Sequence, residues 1–343
     1  MTTDSMMREG ADHVPSPARE LGIVIIGRNE GERLRRCLES LASARSQIIY
    51  VDSGSTDGSA GLARRLGADV VELDTRRPFT AAWARNMGWR RLLELRPLVA
   101  RVHFFDGDCE VIEGWIDAAM CTLDTQPRTA VVCGRRRERF PDASTFNRQC
   151  EIEWNAESGE VRSCGGDALM RIDALQGVGG YRDTLIAGEE PELCVRLRAA
   201  AWQIWRLDRD MAWHDAAMTR WSQWWRRSKR AGHAFAEGAS LHGRPPERHY
   251  VGEERRALIW GVWLPVAILL LCLLSRWMLL LALLYPVQML RLALRPQRAA
   301  READAVWSRA FFLVAGRFPE AAGVLLFRWH KILGRASALI EYK

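Results

Sequence analysis

The first half of the chain alternates apolar runs with polar segments that have helical spacing. Residues 21–26 carry no charged or hydrogen-bonding side chain, which predicts a buried strand. Leu34, Cys37, Leu38 and Leu41 then recur at the spacing of one helix face. The pattern therefore predicts a strand–loop–helix unit that begins at residue 21.

This unit repeats along the chain. Apolar runs at 48–51 and 102–106 predict further strands, a turn-rich GSTDGS segment follows the first of them, and a helix is expected around 80–95. Strands that alternate with helices predict an α/β fold with a mostly parallel central sheet, which binds its ligands outside the carboxyl ends of the strands. After about residue 135 the pattern predicts a helix near 190–201 and a short strand at 203–207.

The last third of the chain is strongly apolar. Residues 258–290 carry one charge, Arg276. This predicts a membrane hairpin with Arg276 near its tip, and a pair of buried core helices is the alternative. Basic residues on both flanks should both stay on the cytoplasmic side: Arg255, Arg256, Arg291, Arg295 and Arg298. Residues 311–327 are expected to form an interfacial helix.

Length, charge and cysteine usage refine this picture. The 343 residues suffice for a large α/β domain and an appendage, which we expect at 20–240 and 241–343 behind a flexible tail at 1–19. The tail lacks the apolar core of a secretory signal. The net charge of +7 fits phosphates or an anionic membrane face. Eight cysteines without a CxxC pair indicate a reducing compartment.

Carboxylates follow the predicted strands at the edge where a ligand should bind. Asp106 and Asp108 end the strand 102–106 and stand two residues apart, so their side chains point to one side. Mg²⁺ and Mn²⁺ prefer oxygen ligands and often bind one or two carboxylates plus substrate phosphates. Asp52 ends a neighbouring strand, although a plain turn with a helix cap also explains the loop after it.

Seven motifs in a fixed order extend these observations over about residues 20–230. They are IVIIGRNEGERLRRCLESL, VDSGSTDGS, ARNMG, FFDGDCE, CGGDALMR, GEEPELCVRLRAAAW and QWWRR. Together they resemble the family 2 glycosyltransferases. The resemblance implies a nucleotide-sugar-binding domain of the GT-A type, a divalent cation, either Mn²⁺ or Mg²⁺, and inversion at the anomeric carbon.

The resemblance also assigns expected roles to residues that bind the donor. Asp52 and Arg85 would contact the base, and Asp106 and Asp108 would hold ribose, diphosphate and metal. The remaining donor-binding residues would be Gly27, Arg28, Asn29 and Glu30 beside the base, Gly165, Gly166 and Asp167 beneath the donor sugar, and Gln223 and Arg226 near the leaving diphosphate. His214 stands where many GT-A enzymes place a third metal ligand.

The GEEPELC segment matches the position of the family's catalytic base. The second acidic residue, Glu190, corresponds to the base that deprotonates the acceptor hydroxyl, with Glu189 as its rival. An acidic helix N-terminus favoured by the macrodipole is the structural alternative. Arg227 stands where processive membrane synthases have a tryptophan, which argues against processive polymerisation.

The expected function is transfer of a sugar from a nucleoside diphosphate sugar, with UDP favoured, to a lipid-linked or polysaccharide acceptor at the cytoplasmic membrane face. A nucleotidyltransferase of related architecture and a non-catalytic membrane scaffold remain as alternatives. Acidic strand ends and the apolar C-terminal region oppose nucleic-acid binding.

Overall fold

The computed structural model describes residues 21–42, 47–295 and 303–335. The predicted tail at 1–19 and the flanking Arg298 lie outside these residues. Every element boundary below refers to the described ranges.

The described residues form one nine-stranded sheet with strand order β3-β2-β1-β4-β8-β6-β9-β5 and β7 paired to β9. The strands are β1 Leu21–Gly27, β2 Gln47–Asp52, β3 Asp69–Glu72, β4 Arg101–Asp106, β5 Cys109–Val111, β6 Thr129–Glu138, β7 Gly159–Val161, β8 Ala168–Arg171 and β9 Gln203–His214. The α-helices of this part are α1 Glu32–Ser40, α2 Ser59–Arg65, α3 Ala81–Leu95, α4 Trp115–Thr125, α5 Thr145–Trp154, α6 Ile172–Gly177, α7 Glu189–Ala199 and α8 Trp221–His242.

The sheet is parallel in one half and mixed in the other. Strands β3, β2, β1 and β4 pair in parallel, so their carboxyl ends share one edge. Beyond β4, β8 runs antiparallel to both of its neighbours, and β9 is parallel to β6 but antiparallel to β5 and β7. The predicted α/β fold class is therefore confirmed. The predicted parallel arrangement is found in the half of the sheet whose strands alternate with helices along the sequence. The strand predicted at 203–207 continues to His214 as β9.

Helices cover both faces of the sheet because its central strands are apolar on both sides. Helices α3, α6 and α7 pack on one face, and α1, α2 and α4 pack on the other. Two glycines bring α3 directly onto β1. A Cβ atom at Gly22 would lie 2.2 Å from Leu92, and one at Gly88 would lie 2.3 Å from Val24.

The C-terminal region is helical. It contains α9 Val251–Leu258, a π-helical segment Ile259–Trp263, α10 Leu264–Cys272, a 3-10 helix Arg276–Leu283, α11 Leu284–Ala293, α12 Ala303–Ala315 and α13 Arg317–Ile332. Among the described residues, three continuous runs are long and apolar enough to cross a membrane: Val251–Cys272, Arg276–Ala293 and Ala305–Ile332.

The first two runs form the predicted hairpin. Arg276 begins the second run, directly after the turn, and the hydroxyl of Tyr285 donates to the carbonyl of Trp260 at 2.6 Å across the two helices. The alternative of two buried core helices is wrong, because 17% of the first apolar window and 0% of the second are buried. Exposed apolar surface of this extent is typical of a membrane or protein interaction site.

The third run packs on α8. A Cβ at Gly232 of α8 would lie 1.9 Å from the carbonyl oxygen of Glu320, and one at Gly323 of α13 would lie 2.0 Å from that of Lys229. The two helices therefore approach to backbone contact. The Phe312 ring of α12 also lies 5.1 Å from the Trp224 ring of α8. An interfacial position for 311–327 stays a prediction.

Candidate active site

A cleft of about 710 Å³ opens at the carboxyl ends of β1 and β4. The loop after β1, the start of α7 and the middle of α8 form its walls. Tyr250, which precedes α9, closes one side. The parallel half of the sheet thus places the site where strand order predicts it.

The loops that follow β1 and β2 hold each other in shape. The amide of Asn29 donates to Ser55 Oγ at 2.9 Å, and the amide of Thr56 donates to Asn29 Oδ1 at 2.7 Å. Asn29 has a φ of 56°, a left-handed conformation that asparagine tolerates better than most residues. The guanidinium of Arg28 lies 5.3 Å above the Phe79 ring. The four predicted loop residues Gly27, Arg28, Asn29 and Glu30 all line the cleft.

Asp52 lies behind this wall and does not line the cleft. Its carboxylate accepts the Tyr50 hydroxyl at 3.1 Å and the amides of Gly54 and Ser55 at 3.0 and 2.8 Å. Among the residues that line the cleft, its neighbour Ser53 takes the place predicted for Asp52. In this structure Asp52 shapes the loop that follows β2.

Arg85 joins the two acidic sides of the cleft. Its side chain is buried, with Nη2 2.9 Å from Asp106 Oδ1 and Nη1 3.0 and 2.9 Å from the carboxylates of Glu189 and Glu190. Burial alone would lower the pKa of Arg85, but the charges of Glu190 and Asp106 outweigh it and raise the pKa above its ordinary value. Arg85 therefore stays charged and fixes three carboxylates, whereas the resemblance placed it at the base.

The strand-end carboxylates are held from below by a second arginine. Arg136 of β6 lies 2.7 Å from Asp167 Oδ2 and 3.2 Å from Asp106 Oδ2. Asp167 Oδ1 in turn accepts the backbone amide of Asp106 at 2.9 Å. Asp167 is buried and does not line the cleft, so it positions Asp106. The resemblance had placed Asp167 beneath the donor sugar.

Asp108 and His214 meet across β5 and β9. His214 Nε2 lies 3.4 Å from Asp108 Oδ2, and both residues line the cleft although they are largely buried. Burial lowers the pKa of His214, which keeps the imidazole neutral. Its Nδ1 is a buried atom without a hydrogen-bond partner among the described residues, 3.6 Å from Glu138 Oε2.

These donors fit a divalent cation. Asp108, Cys109 and His214 offer ligand atoms within 4.8 Å of one another, and Asp106, Cys109 and Asp167 form a second such group. A neutral imidazole beside carboxylates suits Mn²⁺. Of the three ligands predicted from the sequence, Asp108 and His214 belong to the first group and Asp106 to the second, and all three line the cleft.

Glu189 and Glu190 begin α7 beside this centre. Gly188 precedes them with a φ of 76°, a left-handed conformation that turns the chain into the helix. Both side chains are largely buried against Arg85. Burial and the charge of Glu189 raise the pKa of Glu190 to about 7, and Arg85 partly opposes the shift. A carboxylate with this pKa is suited to act as a base near neutral pH.

The two glycines of CGGD have different surroundings. A Cβ atom at Gly166 would lie 2.4 Å from Arg85 Nη2 and 3.0 Å from Asp106 Oδ2. A Cβ at Gly165 would meet nothing within 4 Å. Gly166 therefore allows Arg85 and Asp106 to approach each other, and Gly165 lies outside the cleft lining.

The QWWRR motif contributes a different residue from the two predicted. Gln223 caps α8, since its Oε1 accepts the amides of Thr219 and Arg220 at 2.9 and 3.0 Å, and Arg226 is exposed away from the cleft. The neighbouring Arg227 lines the cleft. Sequence reasoning also missed Arg136, Arg230 and Tyr250, whose segments carry no motif that marks them.

The sequence comparisons agree with this geometry. A family model described as "Glycosyl transferase family 2" matches residues 22–177. These residues contain the parallel half of the sheet and the Asp106–Asp108 pair. Residues 22–177 are thus similar to glycosyl transferase family 2. The mixed α/β sheet has the GT-A architecture, and a helical region with three candidate apolar spans follows it.

Two curated proteins match about half of this chain. The succinoglycan biosynthesis protein ExoA of Rhizobium meliloti (strain 1021) is 29% identical over 210 residues, 54% of this chain and 60% of that protein. The glycosyltransferase AglE of Haloferax volcanii is 23% identical over 197 residues, 54% of this chain and 63% of that protein. The chain thus spans about three fifths of the length of the curated relatives it matches.

One solved structure resembles nearly the whole chain. The mannosyltransferase PcManGT from Pyrobaculum calidifontis, in complex with GDP-Man and Mn²⁺, has a TM-score of 0.58 and 18% sequence identity. The match covers 94% of this chain and 92% of that one. At this identity the match establishes a shared fold that includes the C-terminal helices.

Proposed function

We propose that the protein is an inverting glycosyltransferase that transfers a sugar from a nucleoside diphosphate sugar to a lipid-linked or polysaccharide acceptor. The observation that carries the proposal is the bridge made by Arg85 in the cleft. It ties Asp106, which we assign to the diphosphate, to Glu189 and Glu190, which we assign to the acceptor. Both partners of a displacement reaction would therefore meet charged groups that one guanidinium holds in place.

The donor would bind across the strand ends. Asp106, Asp108 and His214 would hold Mn²⁺ or Mg²⁺, and a bound cation would neutralise charge on the leaving diphosphate. The 27–30 loop and Phe79 offer polar groups and a ring face to the nucleoside. A UDP-sugar is favoured, and the GDP-Man bound by PcManGT makes guanosine the first competitor to test.

Glu190 would act on the acceptor. Its carboxylate takes the proton of the acceptor hydroxyl as that oxygen attacks the anomeric carbon. The bond from the anomeric carbon to the diphosphate breaks on the opposite face, the nucleoside diphosphate leaves, and the configuration inverts. Arg85 and Arg136 hold the carboxylates in place, so the groups need little reorganisation during the reaction.

The exposed apolar helices support a membrane location for this reaction. Basic residues flank the hairpin, which favours a cytoplasmic catalytic domain and a lipid-linked acceptor delivered from the bilayer. The domain boundaries near residues 20 and 240 belong to the same proposal.

The direct test is a donor screen with the full-length protein in detergent. UDP- and GDP-sugars are incubated with Mn²⁺, with Mg²⁺ or with a chelator, and the released nucleotide is measured. We expect one donor to release its nucleoside diphosphate only when the cation is present. Release of pyrophosphate would identify a nucleotidyltransferase. Absence of both binding and turnover for every donor would leave the scaffold alternative.

A further inference from the structure

A second cavity, of about 510 Å³, lies among the C-terminal helices and is distinct from the catalytic cleft. Helices α9, α11, α12 and α13 and the π-helical segment enclose it. Four arginines line it together with Trp260 and Gln288: Arg256, Arg291, Arg295 and Arg317. We call this cavity the arginine pocket.

Positive charge in the arginine pocket exceeds the negative charge beside it. Arg256 donates to Glu253 at 2.7 Å, and Arg317 donates to Glu320 at 2.7 Å. Arg291 and Arg295 have no ion-pair partner within the described residues. Guanidinium groups stay protonated at any physiological pH, so the two unpaired charges favour an anionic ligand.

The position of the arginine pocket along the hairpin points to the membrane surface. Arg256 lies near the start of the first apolar run and Arg291 near the end of the second, so both are at the open end of the hairpin. At about 1.5 Å per residue, roughly 24 Å of helix separate Arg256 from Cys272, close to the hydrocarbon thickness of about 30 Å. The arginines therefore lie at headgroup depth, on the side of the catalytic domain.

The walls of the arginine pocket combine apolar and charged side chains, as a site for an amphiphilic ligand would. Leu292, Leu313 and Val314 line it beside the arginines, and Trp260 is a residue type enriched at membrane interfaces. Guanidinium forks bind phosphate oxygens in pairs, and basic pockets between membrane helices are typical sites for lipid headgroups. An apolar chain could follow the exposed leucines of the hairpin, such as Leu269 and Leu273.

We propose that the arginine pocket binds the phosphate group of a membrane lipid. The same helix connects it to the active site, because Tyr250 at the start of α9 lines the catalytic cleft and Arg256 lines the arginine pocket. Six residues of helix place them about 9 Å apart along its axis. The proposal rests on the membrane association given above and is independent of the donor and acceptor assigned to the cleft.

The test uses the full-length protein in lipid nanodiscs and in detergent. Retention of phosphatidic acid, phosphatidylglycerol and polyprenyl phosphate is compared with that of phosphatidylcholine by native mass spectrometry, with inorganic phosphate as a soluble competitor. The test variant is Arg291→Gln with Arg295→Gln. Arg276→Gln, at the opposite end of the second apolar run, removes one charge and is the control.

We expect the double variant to bind anionic lipid at least about tenfold more weakly, since each basic residue near the surface contributes about 1 kcal/mol. Arg276→Gln should change the affinity less than about twofold. Unchanged circular dichroism and melting temperature show that the variants fold, and Arg291→Lys with Arg295→Lys should recover part of the affinity.

Equal retention of phosphatidylcholine, or equal losses in test and control variants, would overturn the proposal. Full displacement by millimolar phosphate would overturn its lipid part, and failure to enter nanodiscs would overturn membrane association itself.

Discussion

Apolar side chains are buried in the catalytic domain and exposed in the C-terminal hairpin. In the sheet, Val24 and Phe104 are 0% exposed, whereas in the hairpin Leu269 is 68% exposed and Leu273 and Leu274 are each 82% exposed. Burial of apolar surface is the main force that stabilises a domain in water. The hairpin therefore presents apolar side chains that the other described residues leave uncovered.

Arginine side chains in the two regions differ in their burial and in their acidic partners. Arg85 is buried in the catalytic domain and is compensated by three carboxylates. Arg291 and Arg295 lie exposed at the end of an apolar helix without acidic partners in the described ranges. One region thus uses buried charge to hold a reaction centre, and the other presents charge at the border of its apolar surface. The predictions below test this contrast in order of expected effect.

The largest effect should come from Glu190→Gln. Loss of a general base typically lowers the rate by about 10² to 10⁴, while donor affinity should stay nearly normal because the group acts on the acceptor. Glu189→Gln should lose less, since Glu189 then serves to hold Arg85. Donor affinity and transfer rate are measured for both variants. A collapse confined to Glu189→Gln would move the base by one residue.

The pH profile sharpens this result. With a pKa of about 7, Glu190 is protonated at lower pH and becomes a base as the pH rises through that value, so the transfer rate should rise with a midpoint near 7. The charge of Glu189 raises the pKa of Glu190. Glu189→Gln should therefore move the midpoint to lower pH, and a profile that is flat from pH 5 to 9 would contradict the assignment.

A loss of comparable kind is expected from Asp108→Asn at the metal end. Removal of one group that stabilises developing charge costs about 10² to 10³ in rate. Donor affinity in Mn²⁺ should fall towards the value measured with a chelator. Asp106→Asn should behave similarly but also frees Arg85 and Arg136. Asp142→Asn, whose side chain is 83% exposed, is the control. Wild-type Mn²⁺ dependence in both site variants would refute the metal assignment.

Substitutions at two exposed leucines test whether the two regions have different surroundings. Leu269 in the hairpin is 68% exposed and Leu98 on the catalytic domain is 72% exposed. Arginine at the centre of a membrane helix costs about 2.5 to 3.5 kcal/mol, whereas at a water-exposed site it costs little. Leu269→Arg should therefore reduce the fraction that resists carbonate extraction, and Leu98→Arg should not. Equal behaviour of the two variants would show that water surrounds both sites.

The smallest predicted loss concerns the adjacent glycines of the cleft. A methyl group at Gly166 would overlap the Arg85–Asp106 pair, so Gly166→Ala should separate these groups and reduce transfer about 10- to 100-fold, as loss of supporting contacts around a metal site does. Gly165→Ala has open space and should retain normal activity. Steady-state rates for the two purified proteins decide the matter. Equal rates would mean that the neighbouring arginine can shift without consequence.

The sequence by itself determined the parallel half of the fold and much of the reaction centre. Apolar runs that end in Asp106, and the acidic start of α7, are local patterns in which strand ends and helix starts place their own side chains. The loop 27–30, the Asp106–Asp108 pair and the hairpin about Arg276 were all evident for this reason.

Only the tertiary structure decided which groups meet. Arg136 reaches Asp106 from the mixed half of the sheet, and Tyr250 reaches the cleft from the start of the helical region. Asp52 and Gln223 match family motifs, yet their oxygens bind backbone amides of neighbouring loops. These outcomes depend on strand order and helix packing between residues far apart in the chain. The spacing of side chains along the sequence predicts local conformation. Such long-range contacts form only when many separate surfaces pack together.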